Sequence, residues 1–415
     1  MQQARQATQE WIHRFPHHLL GIGGEDKRYV VPSVVAIGPY HHGLPHLQDM
    51  EEVKKVGAYS YCRYRGQPVE AVYKEILDVA SEVRRCYHAM VVANLSDEDL
   101  AHMMFVDGCF LLSLMVGDQH DPLSTGCTLS SGNSFFKDIF MLENQIPWLV
   151  FEAIISIDIE TTTTTAEESM AALLGFVMVM GLLLSPANIE EDKIWGCLPK
   201  RVVEEVRQEA MLADFANYSP PHILGLLRLS SLSIGAIHLV QSGVKLIGRA
   251  GSLGKFADMN CRKKLLFGEL SLSPVALNDI TTCWLVNMAA LESAQATTPV
   301  NWDVDGYVVS SYLSMLAMLM DREEDVHVLR RSGVISSIFS DQQTLVIFKC
   351  FAQNIRMGFN YLDTLGEIDG YMRHRPVRIA IHKFVYNNYK TIAAVLSIAA
   401  ALIGVMKAIY SLKRP

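Results

Sequence analysis

Charged residues are scarce in this sequence, and basic residues are scarcer than acidic ones. Only 19% of the 415 residues are charged, whereas an average soluble domain has about 25%. The formal net charge is −8, and half of the residues are hydrophobic. Nucleic-acid-binding domains usually have a basic face and a high isoelectric point, so we expect no nucleic-acid partner. The hydrophobic excess requires a large core or contact with lipid.

The sequence also lacks closely spaced cysteines. Its eight cysteines are scattered singly and form no Cys-x-x-Cys pair, which disfavours a zinc site built on cysteine pairs. Histidines are dense in the first 50 residues, but their spacing matches no known metal site. These histidines are His13, His17, His18, His41, His42 and His46. We predict no metal, no cofactor and reduced, buried thiols in a body that faces the cytosol; disulfides in an extracellular body are the alternative.

Catalytic and phosphate-binding motifs are absent as well. There is no Gly-x-Ser-x-Gly elbow, no Gly-x-Gly-x-x-Gly after a strand, no phosphate loop and no His-Glu-x-x-His. The first residues, MQQARQATQEWIHRFP, contain no apolar stretch, so no secretory signal peptide is predicted. These absences remove the sequence arguments for an enzyme. We therefore predict no catalytic residue and infer no small-molecule substrate.

Helical periodicity dominates what is present. Apolar residues recur at helical spacing and predict one buried stripe at Val69, Val72, Ile76, Val79 and Val83. Ser96 and Asp99 form a capping-box pattern ahead of another apolar helix. A further helix is predicted over residues 135–155, bent or restarted at Pro147. The run AALLGFVMVMGLLL at residues 171–184 is too short for a bilayer core of about 30 Å, so we predict a buried central helix there.

These patterns predict a mainly α fold in three parts. Residues 1–50 form an N-terminal arm rich in His, Pro and Gly. Residues 51–385 form a single, mainly helical body. At about residues 243–277, short alternating stretches separated by Gly, Asn and Ser predict a small antiparallel β meander inserted in that body. Residues 391–412 form one C-terminal hydrophobic helix.

The C-terminal tail is the sharpest physical signal in the sequence. Residues 391–406 carry no charge, and a helix over residues 391–412 is about 33 Å long, which exceeds a bilayer core of about 30 Å. Basic residues flank the run on both sides and favour a cytosolic body. We predict a single-pass transmembrane anchor that comprises Thr391, Ile392, Val395, Leu396, Ile398, Leu402, Ile403 and Val405. A terminal helix packed on the chain's own body is the alternative.

Several segments, taken in order, resemble the motifs of one plant family. WIHRFPHHLL, VVPSVVAIGPYHHG and HLQDMEEVKK resemble its opening signature, MMFVDGCFLL its Asp-Gly-Cys-Phe motif and DIFMLENQIPWLVFEAI its Leu-Glu-Asn-Gln-Ile-Pro motif. HLVQSGVKLIG and DVHVLRRSGVI continue the match toward the tail. From about Trp11 to the C-terminus, the chain resembles the family called domain of unknown function 247, or UPF0481. The motif positions are Gly38, Pro39, Tyr40, His41, His42, Gly43, Met50, Glu51, Lys54, Asp107, Gly108, Cys109, Phe110, Glu143, Asn144, Gln145 and Pro147.

This resemblance implies a plant protein that is attached to a membrane, and to the plasma membrane in particular, through its tail. It implies no established catalytic activity, and some grass relatives are linked to pollen recognition in self-incompatibility. Our first hypothesis is accordingly a membrane-anchored module that binds or recognises an unidentified protein. The alternative is an unrecognised hydrolase or transferase that uses buried carboxylates near Asp107 and Glu143. If those carboxylates meet, Arg14 or Arg63 is the expected compensating cation.

Overall fold

The computed structural model divides the chain into two compact units. The first consists of residues 1–259 and 271–361, and the second of residues 260–270 and 362–415. The structure describes residues 12–23, 27–116, 134–157, 166–182, 184, 220–233, 260–263, 268–295, 307–355, 358, 388, 391, 393–395 and 397–407. The predicted boundaries at residues 50 and 385 stay predictions.

The first unit is mainly helical, as predicted. Short 3-10 turns cover His17–Gly23 and Pro45–Leu47. The α-helices are α1 (Gln48–Arg65), α2 (Val69–Asp78), α3 (Ala80–Arg85), α4 (Ala89–Val92), α5 (Asp97–Val116), α6 (Trp148–Ile155), α7 (Ala166–Leu182), α8 (Ile223–Ser233), α9 (Asp279–Gln295), α10 (Val308–Met318), α11 (Glu323–Arg331) and α12 (Asp341–Asn354). The strands that pair within this unit are β3 (Val275–Leu277) and β4 (Ile335–Ser337).

Local sequence signals set several helix ends. The Asp99 amide donates to Ser96 Oγ over 3.0 Å, and the Ser96 amide donates to Asp99 Oδ2 over 3.2 Å, so the predicted capping box at the start of α5 is confirmed. Of the helix predicted over residues 135–155, the described structure has a short helical stretch at residues 134–138 and α6. The restart at Pro147 is confirmed, but the prediction is wrong for residues 139–147, which are turns and irregular backbone. The predicted stripe from Val69 to Val83 is divided between α2 and α3, because Val79 has φ −100° and ψ 2° and ends the first helix.

Helix α5 lies at the centre of the first half of this unit. It packs against α1, α2, α3, α6 and α7, and two glycines permit the closest approaches. A Cβ on Gly57 would lie 2.7 Å from Phe110 Cδ2, and a Cβ on Gly108 would lie 2.6 Å from Ile154 Cδ1. The motif residue Gly108 therefore serves helix packing, and Phe110 and Cys109 belong to the core.

The remaining helices extend the same core. Helix α7 is buried along most of its described length, as predicted for residues 171–184, and it packs against α8. Helix α8 in turn contacts α9, and α9 contacts α10, which packs on α12. From Ile280 to Glu292 every residue of α9 is buried, so this helix is covered on all sides.

The predicted antiparallel meander is wrong. β3 pairs with β4 in parallel, in the register Val275↔Ile335, Ala276↔Ser336 and Leu277↔Ser337. A parallel pair requires a long crossover connection, and α9, α10 and α11 supply it here. The alternating pattern near residue 277 correctly indicated a strand, β3, but the strand that pairs with β3 lies outside the predicted insertion. β1 (Asn260–Lys263) and β2 (Gly268–Ser271) form a separate two-stranded sheet. Residues 243–259 and 264–267 of the predicted insertion lie outside the described residues.

The predicted C-terminal transmembrane helix is not found. Residues 391, 393–395 and 397–407 have helical backbone. Among the described residues, no helix combines the length and apolar character needed to cross a membrane. Ile392, Leu396 and residues 408–412 of the predicted anchor lie outside the described residues.

Candidate functional site

The family-motif residues meet where the N-terminal arm lies against the helical body. In the described part of the arm, residues 12–23 and 27–47, the regular structure consists only of short 3-10 turns, so its backbone amides need partners from elsewhere. Side chains of α5 and of residues 138–145 supply those partners. The candidate site, which we call the arm clamp, consists of Lys54, Asp107, Asp138, Glu143 and Asn144.

Lys54 and Asp107 form the innermost part of the clamp. Lys54 Nζ lies 2.6 Å from Asp107 Oδ1 and 2.8 Å from Glu51 Oε1, and it donates to the carbonyl oxygen of Ala36 over 2.8 Å. The other Asp107 oxygen accepts the Gly38 amide over 2.8 Å. Burial opposes the charge of Lys54, but the two carboxylates outweigh it and raise the pKa of Lys54. The cation that compensates Asp107 is thus Lys54. Of the two expected arginines, Arg14 acts on Glu143, where its charge lowers the pKa.

Asp138 binds three consecutive amides of the arm. Its Oδ2 accepts the amides of Ser33, Val34 and Val35 over 2.9, 2.6 and 3.2 Å, and Ser33 Oγ donates to Oδ1 over 3.2 Å. Burial raises the pKa of Asp138, although the three amide hydrogen bonds act against that rise. Sequence reasoning quoted this residue within a motif but assigned it no role; its only signal is a carboxylate at the head of an apolar run.

Asn144 and Gln145 extend the clamp in two directions. Asn144 Oδ1 accepts the Ile37 amide over 2.7 Å, and its Nδ2 donates to the Val35 carbonyl over 3.0 Å. Gln145 instead accepts the Leu224 amide over 3.1 Å through its Oε1, so it satisfies the start of α8. The side-chain amides of these two neighbouring residues therefore attach the arm and the start of α8 to the same turn.

Gly38 is required where the arm passes over this turn. Its φ is +73°, and a Cβ there would lie 2.6 Å from the Gln145 carbonyl oxygen. The Tyr87 hydroxyl donates to that same oxygen over 3.1 Å. By contrast, Gly43 has φ +81° with no heavy atom within 4 Å of a built Cβ. Both glycines serve left-handed backbone, and only Gly38 is also confined by its neighbours.

Glu143 and His41 meet at the outer end of the clamp. Glu143 Oε1 accepts the Phe15 amide over 2.9 Å, and its Oε2 lies 3.7 Å from His41 Nε2, which is too long for a hydrogen bond. Burial raises the pKa of Glu143, and the Phe15 amide opposes that rise. Burial, with a smaller effect of His46, lowers the pKa of His41 to about 4. His41 is therefore neutral at physiological pH.

The remaining arm histidines and motif positions have simpler roles. His46 Nε2 lies 3.1 Å from the Pro32 carbonyl oxygen, which confirms the expected backbone contact for this histidine. The Tyr40 hydroxyl donates to the Ile12 carbonyl over 3.0 Å. Pro147 precedes α6 as its N-cap residue. The other motif positions are half-buried or exposed: Pro39, His42 and Met50.

Sequence reasoning missed a second link between the arm and the body. Asn287 on α9 donates through Nδ2 to the Tyr29 carbonyl over 2.9 Å and accepts the Leu142 amide through Oδ1 over 2.8 Å. An asparagine within a helical pattern does not indicate in the sequence that its side chain binds residues so far away along the chain. Among the described residues, no three His, Cys, Asp or Glu side chains are grouped so that they could hold a metal ion.

The arm clamp is suited to holding an irregular segment in place. Its carboxylates and amides bind main-chain groups of the arm, so the contact depends little on the arm's side chains. Asp107 and Glu143 bind different parts of the arm, at Gly38 and at Phe15. Charge-assisted hydrogen bonds of this kind stabilise a segment that has no ladder of its own.

Comparisons with known proteins agree with the motif resemblance. A family model named DUF247 and described as "plant protein of unknown function" matches residues 12–403. The UPF0481 protein At3g47200 of Arabidopsis thaliana is 33% identical, over 78% of this chain and 69% of the relative. A second UPF0481 protein of the same plant, At3g02645, is 23% identical over 87% of this chain and 83% of the relative. No solved structure matches the chain. The match spans nearly the whole chain, arm clamp included, so this chain belongs to the DUF247 family of plant proteins of unknown function.

Proposed function

We propose that this chain is a non-catalytic protein-interaction module that residues 391–412 hold at a membrane, with its helical body in the cytosol. The arm clamp keeps the irregular N-terminal segment on the body as part of one surface. The tail supplies the attachment. The partner that the body recognises is a protein, because the chain offers no sequence motif for a small-molecule substrate.

The exposed apolar side chains of the tail carry this proposal. Val395, Ile398, Leu402 and Ile403 are large apolar side chains, and they are 59%, 61%, 61% and 68% exposed. A contiguous exposed apolar segment is unfavourable in water and marks a surface that lipid or another protein covers. The basic residues on both sides of residues 391–406 favour lipid, because they match anionic headgroups.

The bonding of the arm clamp supports a structural role for its carboxylates. A general acid or base must reach the proton that it transfers. Asp107 is buried and bonded to Lys54 and to the Gly38 amide, and Asp138 is buried and bonded to three amides. Side chains engaged in this way stabilise the native fold of the arm.

Membrane extraction tests the proposal. The full-length chain and a version that ends at Lys390 are expressed in plant cells, and the membranes are washed with carbonate and then treated with protease. We expect only the full-length chain to resist extraction and its body to be digested from the cytosolic side. Ile398→Asp with Leu402→Asp should release the chain. The matched control is Val346→Asp on α12, which changes a similarly exposed apolar side chain (56%) and should have no effect.

Two outcomes would overturn the proposal. If the full-length chain and the truncated version are both extracted, the tail does not attach the protein. If the body is protected from protease, it lies outside the cytosol, and recognition at the cell exterior replaces the cytosolic role.

One observation favours the alternative of an unrecognised hydrolase or transferase. Glu143 has a raised pKa and lies near the neutral imidazole of His41, and paired titratable groups of this kind occur in acid–base sites. Glu143→Gln distinguishes the two functions. A hydrolytic activity in a broad ester and phosphoester screen that this substitution abolishes, in a protein of unchanged stability, would establish the alternative.

A further inference from the structure

Helix α1 carries a stripe of exposed side chains on the face that points away from the core. The stripe consists of Glu52, Val56, Tyr59 and Arg63. Their spacing of i, i+4, i+7 and i+11 places all four within a narrow arc of the helix. Val56 and Tyr59 are each about half exposed, although both are large apolar side chains. The opposite face of α1 is buried against the rest of the first unit.

The two ends of this stripe carry charges of opposite sign. Glu52 lies one turn before the apolar centre, and Arg63 lies one turn after it. The Glu52 side chain is 79% exposed and pairs through Oε1 with Lys55 of the same helix over 2.7 Å. Arg63 is exposed as well. Both charges are therefore accessible to a partner without any change in the core.

The ring of Tyr59 is held in position by the body. It lies edge-on to Phe105 of α5, with the ring centroids 6.4 Å apart and an interplanar angle of 70°. A side chain that is already fixed loses little conformational entropy when a partner covers it. Tyr and Arg are also enriched among the residues that dominate the energy of protein–protein contacts. The stripe thus has the composition of a protein-binding surface.

We propose that this stripe is the contact between two copies of the chain, whose α1 helices pair antiparallel about a twofold axis midway between Val56 and Tyr59. Glu52 and Arg63 lie equally far from that axis, at about 8 Å along the helix. Glu52 of each copy therefore faces Arg63 of the other copy, and Val56 faces Tyr59. A parallel pair would place like charges opposite each other at both ends, which opposes association.

The contact is self-complementary, as a twofold interface requires. A single helix pair buries less surface than a standard interface, which covers about 800 Å² per partner. The dimer therefore forms reversibly, and salt weakens it because the two charge pairs are exposed. The stripe lies on the helical body and does not involve the tail, so this dimer can fail or succeed independently of the proposed membrane attachment.

Charge reversal with exchange between copies tests this contact. Full-length chains with two different affinity tags are purified in one mild detergent, mixed and captured through one tag, and the co-captured chain is quantified. We expect Glu52→Arg and Arg63→Glu each to reduce self-capture about tenfold, because each places like charges opposite each other twice. A mixture of the Glu52→Arg chain with the Arg63→Glu chain should restore capture, since opposite charges then face each other at both ends.

The matched control is Glu82→Arg on α3. Glu82 is also exposed and pairs with an exposed basic residue three positions further along its helix, Arg85. This substitution should leave capture unchanged. All of the substituted side chains are on the surface, and equal melting temperatures of the variants and the wild type establish that each chain is folded.

Three results would overturn the proposal. If neither single substitution reduces capture, the copies meet through another surface. If the mixture of the two variants stays as weak as each variant alone, Glu52 and Arg63 do not face each other across a twofold axis. If the wild-type chain does not capture its own copy, the stripe does not bind a second copy, and a different protein becomes the candidate partner for α1.

Discussion

Lys54 and Asp107 form an ion pair 2.6 Å long that is almost completely withdrawn from water, with side chains 1% and 2% exposed. Each partner also binds the backbone of the arm, Lys54 at the Ala36 carbonyl and Asp107 at the Gly38 amide. The pair therefore joins α1, α5 and the arm at one point. Removal of the Lys54 charge leaves the Asp107 carboxylate buried without this cation, whereas removal of Asp107 leaves Lys54 with Glu51 alone.

Lys54→Met tests the energetic weight of this pair. Breaking a buried ion pair by removal of one partner typically costs about 3–5 kcal/mol of the free energy of unfolding, and the loss is measured by urea denaturation. The matched control is Lys55→Met, because Lys55 pairs with Glu52 on the exposed face of the same helix, and the loss of an exposed ion pair should leave the free energy of unfolding almost unchanged. Equal losses of the free energy of unfolding for the two variants would show that the buried pair stabilises the fold no more than the exposed one.

Gly38→Ala tests the confinement of the arm at the Gln145 carbonyl. A left-handed alanine alone costs about 1–2 kcal/mol, and Gly43→Ala, with open space around it, should show only that loss. Gly38→Ala should lose clearly more, because its Cβ would lie 2.6 Å from backbone. The measurement is the urea midpoint of each variant; indistinguishable midpoints would mean that the turn relaxes without cost.

Asp138→Asn tests whether this carboxylate holds the arm. Asparagine keeps one carbonyl oxygen for the three amides of residues 33–35 but loses the negative charge, and hydrogen bonds to a charged acceptor are about twice as strong as neutral ones. Hydrogen exchange should therefore accelerate at these amides and along the arm, while α12 stays protected. Asp97→Asn, at the partly exposed pair with Arg84, is the control and should leave the arm unchanged. Unaltered hydrogen exchange at residues 33–35 would mean that contacts other than those of Asp138 keep the arm on the body.

The buried histidines predict loss of stability in acid. Three imidazole Nε2 atoms in the described part of the chain are buried without a hydrogen-bond partner, at His13, His41 and His222. Burial, and then the nearby His13, lower the pKa of His222 to about 3. A histidine whose pKa is lowered by folding takes up its proton more readily when unfolded, so each destabilises the protein below about pH 6.5, by about 1.4 kcal/mol per pH unit down to its folded pKa.

His222→Gln isolates this effect from the carboxylates. Asp138 and Glu143 have raised pKa values and act with the opposite sign in acid, because folding makes them bind protons more tightly. The free energy of unfolding that wild type has in excess of the variant should therefore decrease steadily as the pH falls from 6.5 to 4.5. His42→Gln, at an exposed histidine, is the comparison. A difference that does not vary with pH would rule out a neutral, buried His222 as the cause.

Local patterns predicted much of the helical architecture. The Ser96–Asp99 capping box and the restart at Pro147 were readable, because donor and acceptor lie within a few residues of each other. The break at Val79 was not, since its valine continues the apolar stripe. The meander at residues 243–277 failed for a different reason: alternation identified a buried strand, but the strand's partner, β4, comes after three further helices.

The sequence by itself determined the mainly helical class, the family and the motif positions Gly38, Asp107, Glu143 and Asn144, because periodicity and ordered motifs are properties of the chain alone. Only the tertiary structure decided what those residues bind. Lys54, and neither expected arginine, compensates Asp107, and Asp138 proved to hold the arm without having been singled out. A buried carboxylate must find cations and amides wherever packing brings them. In the arm clamp that packing joins residues from 53 to 128 positions apart, beyond the reach of any local pattern.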